Sequence, residues 1–372
     1  MNNNMIISQV GREPVTGTLN ATQKITCIKL SVDVHAAKYK VVRQLGDLPF
    51  QPVQTFQPAE FLKFAEKQLG LAAQVYCCYE AGPTGFWLHR ELNRLGVKNI
   101  VVVPELLDTY GRKVNNDHND ARQLARKHSR YLAGETDALA TVLVPSLAAE
   151  QRRATQRQRG QFGKTVRSLA SMGRSLCLLH GYRLAGSWWR GRGWEKARRT
   201  LPAWLCEHLE RFRPTIAEAE KQIVELTKQL RARQAKRPLP VGLGPLRFEQ
   251  IDSEVLDWNR FSNRKAPGSF VGLTGGVSSS GEQHADLPIT KHGHRRLRAL
   301  LIELAWRMVM YQPQCRAVQR WKHVLLTPHA HARRRKQAIV ALARQLMIDL
   351  WRWRTGRVTP EKLGWIMNNQ PS

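Results

Sequence analysis

Residues 25–34 have the sequence ITCIKLSVDV, in which apolar and polar residues alternate as they do along a β-strand. The segments after it continue in a regular order, with strand-like runs separated by stretches in which apolar residues recur at helical spacing. They predict strands at 39–45 and 52–56, a helix at 58–69, a strand at 74–79, a helix at 85–95, a strand at 99–103 and a helix at 120–132. The order is therefore three strands, then helix and strand twice, then a helix.

This order is the one found in the α/β ribonuclease H-like fold, where carboxylates from the first strand, the end of the fourth strand and a later helix meet at one sheet edge. Asp33 lies on the first predicted strand, and Glu80 directly follows the fourth. Asp117 and Asp120 are three residues apart at the start of the next helix, so they share one helix face. Each acid alone has an ordinary alternative, because Asp117 or Asp120 could be an N-cap and Glu80 a turn residue.

Four converging acids are unfavourable unless divalent cations neutralise them. Paired cations held by carboxylates are the arrangement that many phosphoryl-transfer enzymes use. The sequence therefore predicts a two-metal site that the four acids form together.

The charge of the chain indicates what such a site would act on. The chain has 59 Lys and Arg against 29 Asp and Glu, a formal charge of +30, which favours a polyanionic partner. Residues 1–150 contain 17 Lys and Arg against 14 Asp and Glu, whereas the remaining residues contain 42 against 15. A nearly neutral first part with an acidic cluster and a strongly basic remainder predicts a cutting domain joined to a binding domain. A merely basic, ribosome-associated protein would explain the charge but not the acids.

The segment between 150 and 237 is predicted to be helical and basic. Residues 214–234 place apolar side chains at heptad-like intervals, which predicts a short coiled-coil arm, either a hairpin within the chain or a dimer seam. Between the helices, residues 181–194 read GYRLAGSWWRGRGW and interleave aromatic and basic side chains, among them Trp188, Trp189, Arg190 and Arg192. These residues could contact single-stranded nucleic acid, or the tryptophans could plug the hairpin.

The last part of the chain combines turns with basic helices. Residues 240–244 (PVGLG) resemble a helix-hairpin-helix turn, whose backbone N–H groups face a phosphate. Residues 270–281 are rich in Gly and Ser and are predicted to be an irregular loop, either an ordinary one or one that carries a nucleophile. An amphipathic helix at 337–353 is predicted to be core. The following basic residues are predicted to face nucleic acid: Lys291, Arg295, Arg298, Arg333, Arg334 and Arg335.

These patterns divide the chain into a flexible leader (1–24), a catalytic α/β domain (25–148), a basic helical region (149–237), a C-terminal domain (238–366) and a tail (367–372). No apolar run approaches the roughly 20 residues that a membrane span needs, and the leader has no signal-peptide pattern. We therefore expect a cytoplasmic, nucleoid-associated protein without a membrane partner. Six scattered cysteines with no Cys-x-x-Cys pair predict buried thiols.

Together, these motifs resemble the DEDD transposases of bacterial insertion sequences, the insertion sequence one-ten family of bridge-RNA-guided serine recombinases. The likeness runs from about residue 26 to about residue 365 and rests on the order and spacing of six motifs. They are Ser31-Val32-Asp33, Tyr79-Glu80-Ala81-Gly82-Pro83-Thr84-Gly85, Asp117-x-x-Asp120-Ala121-x-x-Leu124-Ala125, Gly272-Leu273-Thr274 with Ser279-Ser280-Gly281, Ile289-Thr290-Lys291-x-Gly293-His294-x-x-Leu297-Arg298, and Lys336-x-Ala338-Ile339-Val340-Ala341-x-Ala343-Arg344.

The resemblance implies a RuvC-like, ribonuclease H-like N-terminal domain, a coiled-coil region and a C-terminal transposase domain. It implies that the four acids hold Mg²⁺, and that a serine in the C-terminal domain attacks DNA to form a covalent phosphoserine. That serine corresponds to Ser280, with Ser279 as the nearest rival. Implied partners are double-stranded donor and target DNA, a non-coding bridge RNA and further copies of the chain, as a dimer or a tetramer with active sites shared between protomers.

Two other functions fit the same residues. A structure-selective nuclease would use the acids and water without the serine. An inactive relic would bind nucleic acid through its basic surface and cut nothing.

Overall fold

The computed structural model describes residues 25–82, 84–104, 117–232, 237–280 and 283–368, and of residues 117–119, 277–280 and 283–287 it describes the backbone alone. The predicted leader lies outside the described residues. The chain divides into two compact units, one up to Val144 and one from Pro145. In the described ranges, no helix combines the length and the apolarity that crossing a bilayer requires.

The first unit is a mixed α/β structure. Its described elements are β1 (Ile25–Val34), β2 (Tyr39–Leu45), β3 (Gln54–Phe56), α1 (Pro58–Leu69), β4 (Ala72–Glu80), α2 (Trp87–Leu95), β5 (Lys98–Val102) and α3 (Asp117–Leu132). The strands form one sheet in the order β3-β2-β1-β4-β5. β2 runs antiparallel to β1 and β3, whereas β4 runs parallel to β1 and β5. This mixed sheet is compatible with the predicted ribonuclease H-like fold.

Helices cover both faces of the sheet, and β1 is its central strand. Ile28, Leu30 and Val32 point to one face and pack with Phe61 of α1 and Leu88 of α2, all fully buried. The residues between them point to the other face. There α3 packs against β1 and β2, so the two faces of β1 hold two helical layers in place.

Several boundaries follow from local chemistry. α1 spans the predicted residues because Pro58 occupies its first turn and Glu60 accepts a hydrogen bond from the backbone N–H of Gln57, as in a capping box. α2 ends at Gly96, whose φ of +101° is the left-handed conformation that glycine adopts at low cost. α2 begins two residues later than predicted and β3 is shorter than predicted.

The second unit is mostly helical. Its described helices are α4 (Leu147–Leu179), α5 (Gly191–Thr200), α6 (Ala203–Glu210), α7 (Arg213–Ala232), α8 (Pro245–Val255), a 3₁₀ turn (Trp258–Arg260), α9 (Lys265–Phe270), α10 (Arg295–Tyr311), α11 (Arg316–Gln319), α12 (Lys322–Leu325), α13 (Ala332–Arg354) and α14 (Pro360–Leu363). Its strands are β6 (Leu239–Pro240), β7 (Gly275–Ser280), β8 (Gln283–Ile289) and β9 (Met367–Asn368). β6 pairs with β9, and β7 pairs with β8. The predicted amphipathic helix 337–353 forms most of α13, whose apolar stripe packs against α10.

α4 and α7 pack against each other within the chain, which is the hairpin alternative of the predicted coiled-coil arm. Trp188 packs against α4, is 1% exposed and donates from Nε1 to the Ala170 carbonyl at 3.0 Å. Gly173 makes room for it, because a Cβ there would lie 2.4 Å from Trp188 Cζ2. Trp188 is therefore available for packing and not for stacking on a base.

The Gly- and Ser-rich segment contains a regular strand, so the prediction of an irregular loop is wrong for residues 275–280. β7 pairs antiparallel with β8, and the register places Ser279 opposite His284 and Ser280 opposite Gln283. A bulge between Gly275 and Val277 accommodates the irregular sequence at the base of this hairpin. Backbone hydrogen bonds to β8 thus give the segment an order that its own side chains do not indicate.

Candidate functional site

Asp33 and Glu80 lie at the carboxyl ends of two adjacent parallel strands. The last registered pair of β1 and β4 is Val32 with Tyr79, so Asp33 and Glu80 each stand one residue beyond it. Side chains alternate along a strand. The two acids therefore point to the same face of the sheet as the registered pair Ser31 and Cys78.

This face is the one that α3 covers. Ser31 Oγ is hydrogen-bonded to Nδ1 of the buried His128 at 3.1 Å, and Lys29 Nζ donates to Ser129 Oγ at 3.1 Å. Earlier in the helix, Ala121 packs with Val42, which pairs with Ser31. The first turn of α3 is thus directed toward the end of β1 that bears Asp33. These polar contacts hold α3 against β1, and the predicted acids Asp117 and Asp120 lie in the first turn of the helix.

The His128 imidazole and the Cys78 thiol, which both contact Ser31, are uncharged at neutral pH. Burial, and secondarily the Lys29 charge, lower the pKa of His128 to about 3, so its imidazole is neutral. Burial also raises the pKa of the Cys78 thiol to about 12, and its Sγ donates to Ser31 Oγ at 3.6 Å. Lys29, Ser31 and His128 were not among the predicted site residues. The signal available was a polar residue at alternate positions of an otherwise apolar strand.

Carboxylate oxygens are the ligands that Mg²⁺ prefers, so the donors at this edge suit a divalent cation. Asp33 is partly exposed, and its Oδ2 lies 3.2 Å from His35 Nε2. Asp120 is half-buried in the first turns of α3, and the Asp117 side chain lies outside the described residues. Within the described ranges, no three His, Cys, Asp or Glu side chains stand close enough together to bind a metal ion. The two strand acids are thus brought together, while the set of four stays a prediction.

Ser279 and Ser280 lie on β7, but their side chains are outside the described residues. The base of the hairpin that carries them is tightly built. The Gly272 carbonyl accepts from the Lys291 N–H at 3.2 Å, and the Phe270 carbonyl accepts from the His294 N–H at 2.9 Å. A Cβ on Gly272 would lie 2.4 Å from the His292 carbonyl oxygen. The family-like motifs around 272 and 291 therefore interlock and fix where the hairpin begins.

A buried polar network supports the same region and was not foreseen. His294 caps α10 by accepting from the Leu297 N–H at its Nδ1, and its Nε2 lies 3.2 Å from Glu254 Oε2. Arg153 of α4 donates to the Ser253 carbonyl at 2.8 Å and lies 3.5 Å from Glu254. Burial raises the pKa of Glu254, but His294, Arg153 and Arg157 together outweigh it and hold this pKa below its usual value. Because its partners are far apart in sequence, no local pattern reveals the network.

The predicted nucleic-acid residues between α4 and α7 differ in availability. Trp189 Nε1 donates to Glu220 Oε1 at 3.2 Å, and Arg190 forms an ion pair with the same carboxylate at 2.6 Å. Arg192 is exposed. Trp188 belongs to the hairpin core, as described above, so the plug alternative fits it. Of this group, Arg192 and the exposed Arg190 are the cations that a phosphate could reach.

The other predicted basic residues flank the hairpin and α13. Lys291, Arg295, Arg333 and Arg334 are exposed. Arg298 instead donates to the carbonyls of Val271 and Lys291, both at 3.0 Å, and so holds the hairpin base together. Arg335 donates to the Leu325 carbonyl at 3.2 Å. Arg298 and Arg335 therefore each donate hydrogen bonds to backbone carbonyls within the protein.

The predicted helix-hairpin-helix turn lies directly before α8. Gly242 has a φ of +90°, and its carbonyl accepts from Arg307 Nε at 2.6 Å. β6 leads into the turn and pairs with β9, so a strand and not a helix precedes it. The turn is thus anchored to α10 and to the C-terminal end of the chain.

Known proteins resemble this chain over most of its length. It is 27% identical over 327 residues to y4rJ of Sinorhizobium fredii, which is named as a transposase, covering 79% of this chain and 81% of that protein. A second protein of that species named as a transposase, y4qE, is 34% identical over 245 residues, which is 62% of this chain and 58% of the relative. The transposase of insertion sequence element IS1111A from Coxiella burnetii is 25% identical over 59% of this chain and 62% of its own.

The family match falls on the region that contains the hairpin of β7 and β8, which carries Ser279 and Ser280 and is called the serine hairpin below. Residues 241–320 match the family described as Transposase IS116/IS110/IS902 family. This segment begins at the turn before α8 and ends after α11, and it includes β7, β8 and the interlocked loops at their base. The resemblance predicted from the motifs is thereby confirmed, because both comparisons find that this chain is similar to transposases of the IS110 family.

Proposed function

We propose that the chain cleaves and rejoins DNA during transposition of an insertion sequence, with Ser280 as nucleophile and Mg²⁺ held by Asp33, Glu80, Asp117 and Asp120. The observation that carries the proposal is the placement of Asp33 and Glu80 at the ends of adjacent parallel strands, in a chain whose residues 241–320 match a transposase family. The basic surface around α13 and the hairpin supports DNA as the substrate.

The chemistry balances without an external energy source. Ser280 Oγ loses its proton and forms a bond to the DNA phosphorus, while the bond from phosphorus to one DNA oxygen breaks and that oxygen is protonated. A phosphodiester is exchanged for a phosphoserine ester, so a hydroxyl of another strand can reverse the step. A serine hydroxyl is a weak nucleophile at neutral pH. When bound, Mg²⁺ supplies polarisation of the phosphate and stabilisation of the departing oxygen.

The proposal includes partners beyond the DNA substrate. A non-coding bridge RNA would pair with donor and target DNA, and several copies of the chain would assemble. Support comes from the family resemblance and from the excess of 42 Lys and Arg over 15 Asp and Glu after residue 150. Sequencing of RNA that copurifies with the chain tests for the guide.

Trapping of a covalent adduct between the chain and labelled DNA tests the mechanism. Wild type and Ser279→Ala are expected to form the adduct with Mg²⁺ present, while Ser280→Ala forms none. Adduct loss in Ser279→Ala alone would move the nucleophile to Ser279. Asp33→Asn and Glu80→Gln are expected to lower adduct formation by about 100-fold or more, since each removes a ligand charge.

The same assay separates the other two functions. A nuclease that uses water would cleave DNA undiminished in Ser280→Ala and give no adduct with any variant. An inactive relic would bind DNA and leave it intact even as wild type.

A further inference from the structure

A large groove lies in the second unit, outside the acids and the serine. It has a volume of about 1300 Å³ and is bounded by α9, the end of β8, the segment from α11 to α12, and α13. Its rim is cationic and is formed by Arg264, Lys265, Arg320, Arg333, Lys336 and Arg344. Among the described residues, no Asp or Glu lines it. The groove is therefore suited to a polyanion.

The cations on the rim are not committed to carboxylates. In the described part of the chain, none of the six takes part in an ion pair with an Asp or Glu. The buried Asp349 is 4% exposed and accepts from Gln345 Nε2 at 2.9 Å, and burial raises its pKa although Gln345, Arg352 and the rim residue Arg264 act to lower it. All of the rim residues except Arg344 are exposed. Their charge is available to phosphate groups.

The floor of the groove is apolar, and this feature favours an unpaired nucleic-acid strand over a duplex. Leu273, Ile289 and Val340 line it, together with Trp321, whose ring lies 5.2 Å from the Arg320 guanidinium carbon. A duplex hides the faces of its bases and would meet only the rim. An unpaired strand offers flat base faces to apolar and aromatic side chains while its phosphates meet cations.

The groove borders the base of the hairpin that carries the serine. Ile289 is paired with Gly275 at the base of the hairpin, and Ser280 is five residues further along β7. Five strand residues span about 17 Å, which is the length of about five stacked nucleotides. A DNA strand lying in the groove could thus continue along the hairpin toward Ser280.

We propose that this groove binds an unpaired strand of the DNA substrate, with phosphates on the cationic rim and bases on the floor formed by Leu273, Val340 and Trp321. The inference rests on the proposed function for the identity of the nucleic acid. It assigns the groove to strand separation or strand transfer, where unpaired DNA occurs.

Binding measured without Mg²⁺ and on the Ser280→Ala background tests the groove apart from cleavage. The probe is a fluorescent DNA of about 12 unpaired nucleotides, with its duplex form as comparison. Arg333→Ala/Lys336→Ala is expected to raise the Kd for the unpaired probe about tenfold or more. It should also reduce the slope of log K against log salt by about 1.4, the value for two lost phosphate contacts.

The matched control is Lys196→Ala/Arg199→Ala, which removes two exposed cations at the same spacing on α5. It is expected to leave the Kd nearly unchanged. Trp321→Ala should weaken the unpaired probe about fivefold or more and leave the duplex unaffected. Trp321→Phe keeps an aromatic ring, guards against a folding defect and should retain most of the affinity.

Three results would overturn the inference: equal losses in the groove and control variants, an equal loss for duplex and unpaired DNA, or preferential competition by RNA of the same sequence. Failure of the proposed function looks different. In that case wild type would bind the unpaired probe through the groove and still form no adduct with Mg²⁺ present.

Discussion

At Gly272 the backbone admits no side chain. Its φ is +65°, and an added Cβ would lie 2.4 Å from the His292 carbonyl oxygen and 2.8 Å from Arg298 Nη1. An alanine at this position would therefore have two costs, the strain of the left-handed conformation and a collision with the backbone at His292. The interlocked loops at the base of the serine hairpin depend on this approach.

We predict that Gly272→Ala lowers the free energy of unfolding by about 2–4 kcal/mol, because conformational strain and displacement of the loop add. Two glycines separate these costs in urea unfolding. Gly181 has a φ of +81° with open space, so Gly181→Ala should cost about 1 kcal/mol. Gly186 has open space and no strained φ, so Gly186→Ala should change stability by less than about 0.5 kcal/mol. Equal effects of Gly272→Ala and Gly181→Ala would show that the loops are not in close contact.

At the scale of elements, the contact of α3 with β1 depends on a neutral histidine. The pKa of His128 is lowered from 6.5 to about 3, mainly by burial, so the unfolded chain binds this proton more tightly than the folded chain. The neutral His128 imidazole makes its full contribution to the free energy of unfolding above pH 6.5, and this contribution is lost as the pH falls from 6.5 toward about 3. The slope in this window is about 1.4 kcal/mol per pH unit for one proton.

The measurement is urea unfolding of wild type and His128→Gln between pH 7 and pH 4.5. Gln keeps a polar side chain beside Ser31 and has no titration in this range. We expect the stability difference between the two proteins to narrow, and then reverse in sign, as the pH falls. A difference that stays constant with pH would exclude His128 as the titrating group.

The elements also show what the sequence can predict. α1 was predicted to its last residue, because Pro58, Glu60 and the apolar periodicity are all local signals. β7 was missed, because its partner β8 supplies the order and Gly and Ser carry no strand pattern. Two alternatives for residues 181–194 stayed open, since Trp188 is buried against α4, where it packs over Gly173, 15 residues earlier in the chain.

The same contrast between local signals and long-range contacts applies to the candidate site. Asp33 and Glu80 were placed correctly at one sheet edge, because strand order fixes where parallel strands end. The contacts of His128 with Ser31 and of His294 with Glu254 could not be predicted, because each joins residues at least 40 positions apart.

At the scale of the whole molecule, the acids belong to one compact unit and the serine to the other. The family resemblance implies active sites shared between protomers, so the acids of one chain would serve the serine of another. This arrangement predicts complementation between two inactive variants. Asp33→Asn chains retain Ser280, and Ser280→Ala chains retain all four acids.

Random pairing of equal amounts makes half of the pairs mixed, and each mixed pair has one working site of two, so we expect about a quarter of the wild-type adduct. Each variant alone should give almost none. A mixture of Ser280→Ala with the double variant Asp33→Asn/Ser280→Ala is the matched control, because it contains no nucleophile. If acids and serine act within a single chain, no mixed pair can contain a complete site, and the mixture would stay as inactive as its components. Adduct yield in the mixture therefore distinguishes a site built between chains from a site built within one.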